Sequence, residues 1–261
     1  MDISQTLISQ LTKGLNDYNP TVNQMVTAVA SALRVLALAG LTILFLIELS
    51  GTYKKLDQDG GGLTIEVLAE IALKYLFAWI LVMFSDQLID GIAWLGAQVV
   101  RLIAGHTTIN YALDTFNGTT TGMNFIEKGL FAIVELVAQM VSWLAQWIAQ
   151  ILVFMRSVQL YLYKAIAPII IVFFMNDEMR STAIGFLKQF GAIVLQAGVM
   201  LLVLAIFPSF MTSDLLSMNV SGLSQFFQDI SVLVQVIVKM VILIIVLLGS
   251  QNLAKRILGA M

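Results

Sequence analysis

Gln189 to Ser213 is a run of 25 residues without one ionisable side chain, and Leu136 to Met155 is a second such run of 20. About 20 apolar residues in a helix cross the hydrocarbon layer of a bilayer. Charged residues make up 11% of this 261-residue chain and hydrophobic residues 59%, whereas soluble domains carry about 25% charged residues. The apolar runs lack the alternation of period two that a transmembrane barrel needs. In lipid, backbone polar groups must be satisfied internally, and a helix does so within itself. The sequence therefore predicts an all-α integral membrane protein built as a helical bundle.

Five full spans are expected: Met25–Ile47, Leu63–Phe84, Gly129–Met155, Phe190–Phe210 and Ile230–Leu253. A sixth apolar stretch, Gln159–Phe174, contains Lys164 and Pro168 and leads into the polar turn Asn176-Asp177-Glu178-Met179-Arg180-Ser181. Proline in a helix interior removes a hydrogen bond and breaks or kinks the helix. This segment is expected to be re-entrant or kinked; a full crossing would give six spans instead.

The remaining chain divides around these spans. Residues 1–20 carry Ile3, Leu7, Leu11 and Leu15 at intervals of four, with Ile8 beside them. They read as an external amphipathic helix on the membrane surface. Residues 21–85 hold spans one and two around the cytoplasmic Gly60-Gly61-Gly62 loop. Residues 86–128 form an external region in which Ile92–Ile103 lies at the interface or is partly inserted, and Thr107-Thr108 and 117–122 are exposed loops. Residues 129–261 hold the core spans, the Pro-broken segment 159–188 and a cytoplasmic tail with Lys255 and Arg256. Lys and Arg concentrate in cytoplasmic loops. Placing Arg156, Lys164, Arg180 and Lys188 together on that side makes every loop agree, with the N-terminus outside and the C-terminus inside.

Ionisable groups inside spans are costly and face the bundle or a water-filled path. Arg34, Glu135 and Lys239 are of this kind. Arg34 shares one helical face with Thr27, Ser31 and Thr42. Glu135, Gln139, Ser142, Gln146 and Gln150 fall within about 80° of one another at 100° per residue. Gln196 sits inside the fourth span. These groups either line a polar path or fix helix packing, and an ion pair of Glu135 with Lys239 or Arg34 is the specific expectation. Gly191 and Gly198, seven apart, are expected at close helix contacts. Glu66, Glu70 and Lys74 have the i, i+4, i+8 spacing of surface ion pairs.

The chain has no cysteine and a single histidine, His106. Thiolate metal sites, disulfides and thiol catalysis are excluded. The glycine run lacks the Lys-Ser/Thr that completes a phosphate loop. Asp86 and Asp90, at i and i+4, could approach a cation, although two carboxylates alone make a weak site. No cofactor is expected.

Tyr163-Lys164-Ala165-Ile166-Ala167-Pro168-Ile169, the Asn176-Asp177-Glu178 turn, Gly185-Phe186-Leu187-Lys188 and Leu195-Gln196-Ala197-Gly198 resemble the TrbL-like polytopic subunit of conjugative type IV secretion systems, in its Gram-positive form. The resemblance covers about Leu130 to Ala254; many members are longer, with extensions that this chain lacks. It implies a non-catalytic subunit of the inner-membrane channel, present in several copies beside other channel subunits, a cytoplasmic ATPase and the coupling protein. It further implies that such a subunit helps relaxase-bound single-stranded DNA to cross. The cytoplasmic cluster Arg156, Lys164, Pro168, Asp177, Glu178, Arg180 and Lys188 is then the expected partner contact, or a site for anionic membrane lipid. A small solute or ion transporter, and an immunity or pore-forming membrane protein, are the competing readings.

Overall fold

The computed structural model describes residues 3–58, 64–106, 124–211, 222 and 224–260. Among these residues every regular element is helical. The elements are α1 (Ile3–Thr12), α2 (Leu15–Tyr18), α3 (Pro20–Gln58), α4 (Ile65–Met83), α5 (Ser85–His106), α6 (Phe125–Ile171), α7 (Arg180–Met211) and α8 (Gln225–Ile257), with a 3-10 turn at Val172–Phe174 between α6 and α7. Five helical stretches are long and apolar enough to cross a membrane: Pro20–Lys55, Ser85–His106, Phe125–Phe174, Arg180–Phe207 and Phe226–Ile257. The chain is an all-α, multi-pass membrane protein. The loops expected at 60–62, 107–108 and 117–122 lie outside the described residues.

The identity of the second span differs from expectation. Ile92–Ile103, read as interfacial, belongs to the 22-residue helix α5, which qualifies as a span. The stretch expected to span, Leu63–Phe84, becomes α4, whose 19 residues include Glu66, Glu70 and Lys74. The boundary at Phe84 lies where the sequence puts it; what differs is which helix qualifies as a span, because α4 carries Glu66, Glu70 and Lys74 within its 19 residues.

Pro168 does not break its helix. α6 runs unbroken for 47 residues and ends three residues beyond the proline, a length of about 70 Å at 1.5 Å per residue. Pro168 cannot donate to the carbonyl of Lys164, yet the chain turns only at Val172–Phe174 and the Asn176 turn. There the Asn176 side-chain carbonyl accepts from the backbone N–H of Glu178 (2.8 Å) and of Met179 (3.2 Å). An Asx turn of this kind satisfies donors that the incoming helix leaves free.

The chain forms two compact units. The first comprises residues 1–12, 98–155 and 196–253. Its main core joins Leu7 and Leu11 of α1, Val100 of α5, Ala145, Ala149 and Val153 of α6, Ala197 to Leu204 of α7, and Met240, Leu243 and Leu247 of α8. The apolar stripe of α1 is thus buried in protein rather than lying on the membrane surface. A smaller cluster joins Phe131 and Ala138 to Leu233. Arg101 donates from Nε to the carbonyl of Thr12 at 3.3 Å.

The second unit comprises residues 13–97, 156–195 and 254–261. Its core gathers Leu15, Val26, Ala37 and Leu41, Ile71, Ala78 and Val82, Ile89 and Ala93, Leu160 to Val172, and Phe186 to Val194. Close helix approach occurs at Gly96, where an added Cβ would lie 1.9 Å from Cγ1 of Val194. The expected close-packing glycines are less constrained: a Cβ at Gly198 would be in ordinary contact, 3.5 Å from Ile103, and one at Gly191 would meet only the tip of Leu258 at 3.3 Å. α8 ends in a Schellman motif. Gly259 has φ +58°, its N–H donates to the Arg256 carbonyl, and Ala260 N–H donates to the Lys255 carbonyl; glycine adopts that left-handed conformation without a Cβ penalty.

Candidate functional site

The second unit contains a ladder of ionic contacts along α3. The buried face of this helix carries Val26, Ala30, Ala37 and Leu41, at intervals of four, seven and four, and Arg34, four residues after Ala30 and three before Ala37, falls on the same face. Ser31 and Thr42 are exposed, so the expected polar stripe reduces to Arg34 and the half-buried Thr27. The hydroxyl of Thr42 donates to its own helix, to the Leu38 carbonyl.

The first rung lies at Asn23. Lys164 of α6 places Nζ 2.8 Å from each carboxylate oxygen of Asp90 on α5 and 3.0 Å from Oδ1 of Asn23. The Lys164 side chain is 1% exposed and that of Asp90 is 47% exposed. One turn away, the Tyr161 hydroxyl donates to the Leu15 carbonyl at 2.7 Å and accepts from Asn19 N–H at 3.2 Å. These bonds pin α6 to the start of α3.

The second rung is Arg34 paired with Asp86, the second residue of α5. Ser85 is fully buried beside Asp86. Three buried polar atoms have no hydrogen-bond partner here: Nε of Arg34, Oγ of Ser85 and Oδ1 of Asp86. Asp86 and Asp90 are one helical turn apart, so one face of α5 supplies the carboxylates for two rungs.

The third rung lies at Glu48. Lys74 of α4 donates to Oε1 of Glu48 at 2.5 Å and to Oδ2 of Asp177 at 3.1 Å, while Arg180 lies 3.2 Å from Oδ1 of Asp177. The hydrogen bond from Lys74 holds the Asp177 carboxyl below its ordinary value; desolvation opposes it, and the charges of Lys74 and Arg180 add smaller contributions in the same direction as the bond. Glu66 and Glu70 are exposed, and the carboxylate partners of Lys74 come from other elements.

Between the outer rungs α3 carries the apolar run Met25–Ile47, about 35 Å of helix against a hydrocarbon thickness of about 30 Å. Lys164 and Asp177 therefore sit at opposite ends of the apolar stretch of α3. Lys164 is thus not grouped in space with Arg180, contrary to the expected cluster. The same placement removes the re-entrant hairpin, because the segment from Lys164 to Asp177 runs alongside α3. Burial corrects the partner-contact reading as well. Lys164 is enclosed, and Arg156 is 6% exposed with Nε donating to the Ile193 carbonyl at 2.9 Å. Arg180, Lys188, Asp177 and Glu178 are exposed.

The other expected residues lie in the first unit. Gln139 donates to Oε1 of Glu135 at 3.4 Å within α6. Gln139 and Gln150 are exposed and Glu135 and Gln146 half-buried, so this stripe flanks the packed face, which is carried by Ala138, Ala145 and Ala149. Gln196 is buried with Oε1 lacking a partner, and Lys239 is buried. Arg34 pairs with Asp86, which corrects its expected pairing with Glu135.

By sequence, Asp86 and Asp90 make at most a weak cation site. Arg34 and Lys164 are the cations that occupy them. The available signal was complementarity: two cations in apolar helices, and two carboxylates on one helical face. Among the described residues no three His, Asp or Glu side chains group as a metal site. Compared with family models, curated proteins and solved structures, the chain matches none.

Proposed function

We propose that this protein is a non-enzymatic, multi-pass subunit of a conjugative type IV secretion channel, a scaffold that assists passage of relaxase-bound single-stranded DNA across the bacterial inner membrane. The observation that carries this reading is that the residues of the TrbL-like resemblance are also framework residues. Lys164 clamps α5 and α3, Pro168 lies inside the unbroken helix α6, and Asn176 and Asp177 close the turn onto α4 and α7.

Charges committed to joining helices suit a scaffold. A relay would need titratable groups aligned along an accessible path. The exposed Lys54, Lys55 and Arg180 cluster near the Glu48 end of α3, and the positive-inside tendency assigns that end to the cytoplasm. The N-terminus then lies outside. Exposed Arg180, Lys188 and Glu178 are the surface offered to a cytoplasmic ATPase or coupling protein, and the exposed Gln139 and Gln150 suit contacts between copies.

The test is deletion of the gene in a donor cell that carries the conjugative element, followed by measurement of transfer frequency. Transfer should fall to background and return when the full chain is supplied in trans. Unchanged transfer overturns the reading. A solute or ion transporter is the second reading, favoured by the three partnerless polar atoms around Arg34 and Asp86. It predicts substrate flux by the purified chain alone in vesicles.

A further inference from the structure

We propose that α3 and the end of α6 bind one anionic glycerophospholipid, with an acyl chain lodged beside Gly40 and the headgroup phosphate on Lys54. Two hollows adjoin along α3 and share Ile43. The first, of about 380 Å³, is apolar and lies between α3 and the end of α6, lined by Ala37, Gly40, Ile43, Val172, Phe173 and Met179 among others. The other, of about 470 Å³, opens along one face of α3 and adds Ile47, Ser50, Gly51 and Lys54.

Gly40 and Gly51 leave this side of α3 open, since a Cβ built at either would have no heavy atom within 4 Å. An empty apolar hollow forfeits dispersion contacts along its walls. Within the hydrocarbon layer an acyl chain restores them. From Gly40 to Lys54 the helix rises about 21 Å, enough to reach from the hydrocarbon interior to the headgroup region when one leaflet is about 15 Å deep.

The chemistry of the mouth selects the headgroup. Lys54 offers an exposed ammonium just past the apolar run, with the Ser50 hydroxyl one turn before it and exposed Lys55 following it. Among the described residues no carboxylate lines either hollow. Of the flanking carboxylates on α3, Glu48 is bonded to Lys74, and Asp57, three residues beyond Lys54, is exposed. Juxtamembrane lysines attract anionic lipid through this kind of local field.

The test is native mass spectrometry of the full chain released from nanodiscs of equal phosphatidylglycerol and phosphatidylcholine. Wild type should retain one phosphatidylglycerol in preference to phosphatidylcholine. Lys54→Gln should lower that preference by about fivefold, as expected for one juxtamembrane charge, while still retaining a lipid. Gly40→Leu, which fills the hollow, should abolish retention of either lipid, whereas Gly129→Leu, also at an open position, should leave it unchanged. If Gly40→Leu lowers the yield of folded protein, Gly51→Leu makes the same test nearer the headgroup. Equal retention of both lipids by wild type, unchanged retention in the filled variants, or a dimer in place of the lipid adduct would each overturn the proposal.

Discussion

Lys164 sets its ammonium 2.8 Å from both carboxylate oxygens of Asp90, 74 residues away in sequence, with 1% of the lysine side chain exposed and 47% of the aspartate's. The pair is unequal: one partner can be solvated alone and the other cannot. Removing one member of a buried pair costs about 3–5 kcal/mol when it strands the other charge. Asp90→Asn should therefore cost about 3 kcal/mol or more. Lys164→Met leaves a half-exposed carboxylate and should cost nearer 1 kcal/mol, on the scale of lost hydrogen bonds. Thermal unfolding of the two variants in one detergent checks the order; equal losses would contradict the asymmetry.

Arg34 and Asp86 form the middle rung within the apolar run of α3. Each single neutralisation, Arg34→Gln or Asp86→Asn, should destabilise, and the double variant should recover part of the loss. The coupling in a double-mutant cycle should exceed about 0.5 kcal/mol, the limit within which distant sites simply add. Additive losses would mean that the two groups act independently. Arg34→Lys should not restore wild-type stability, because an ammonium lacks the planar fork of the guanidinium.

Asp177 joins the α6–α7 turn to Lys74 and Arg180, and its pKa is lowered in the folded protein. A carboxyl with a depressed folded pKa contributes stability that is present above the unfolded value. That stability is lost as pH falls through the folded value. The turn should be constant from pH 7 to about 5 and loosen below about 4, the ordinary carboxyl range. The chain has no native cysteine, so a nitroxide on Ser181→Cys reports the turn cleanly. Its spectrum should sharpen in acid, and Asp177→Asn should show the mobile spectrum already at neutral pH.

Gly96 faces Val194 so closely that an alanine Cβ would fall 1.9 Å from Cγ1. Gly96→Ala should cost about 1–3 kcal/mol, as overpacking does. Val194→Ala removes the clashing methyl and leaves the valine Cβ position 3.3 Å from the added atom. The double variant should recover most of the loss in thermal unfolding. Failure to recover would place the constraint in the backbone.

Gln24 and Ser181 are exposed and belong to opposite ends of the apolar run of α3. Gln24→Cys and Ser181→Cys should react with a membrane-impermeant maleimide from opposite faces of sealed vesicles. Labelling of both from one face would show that α3 does not cross.

Fold class was legible in the sequence because it depends on composition over long windows. Gln189–Ser213 and Leu136–Met155 lack ionisable groups, and only helices satisfy such a backbone in lipid. Which helix spans was less legible. The break between α4 and α5 at Ser85-Asp86 was visible, but both are largely apolar and only α5 qualifies as a span. Pro168 signals a break, yet packing of Leu160, Ala167 and Ile171 into the core carries α6 past it. Counting lysines and arginines could not separate buried from exposed cations, so Lys164 and Arg156 were grouped with Arg180 and Lys188.

The sequence by itself determined that this chain is a helical membrane protein, that Arg34 turns inward, and that the stretch from Lys164 to Asp177 is the unusual one. Each of these follows from local periodicity or from the cost of placing charge in lipid. Only the tertiary structure decided which carboxylate meets which cation. Asp90 with Lys164, Asp86 with Arg34 and Asp177 with Lys74 are separated by 74, 52 and 103 residues. Charge type restricts such pairs to opposite signs, but the choice among partners belongs to helix packing, which sets the heights at which side chains of neighbouring helices can reach one another.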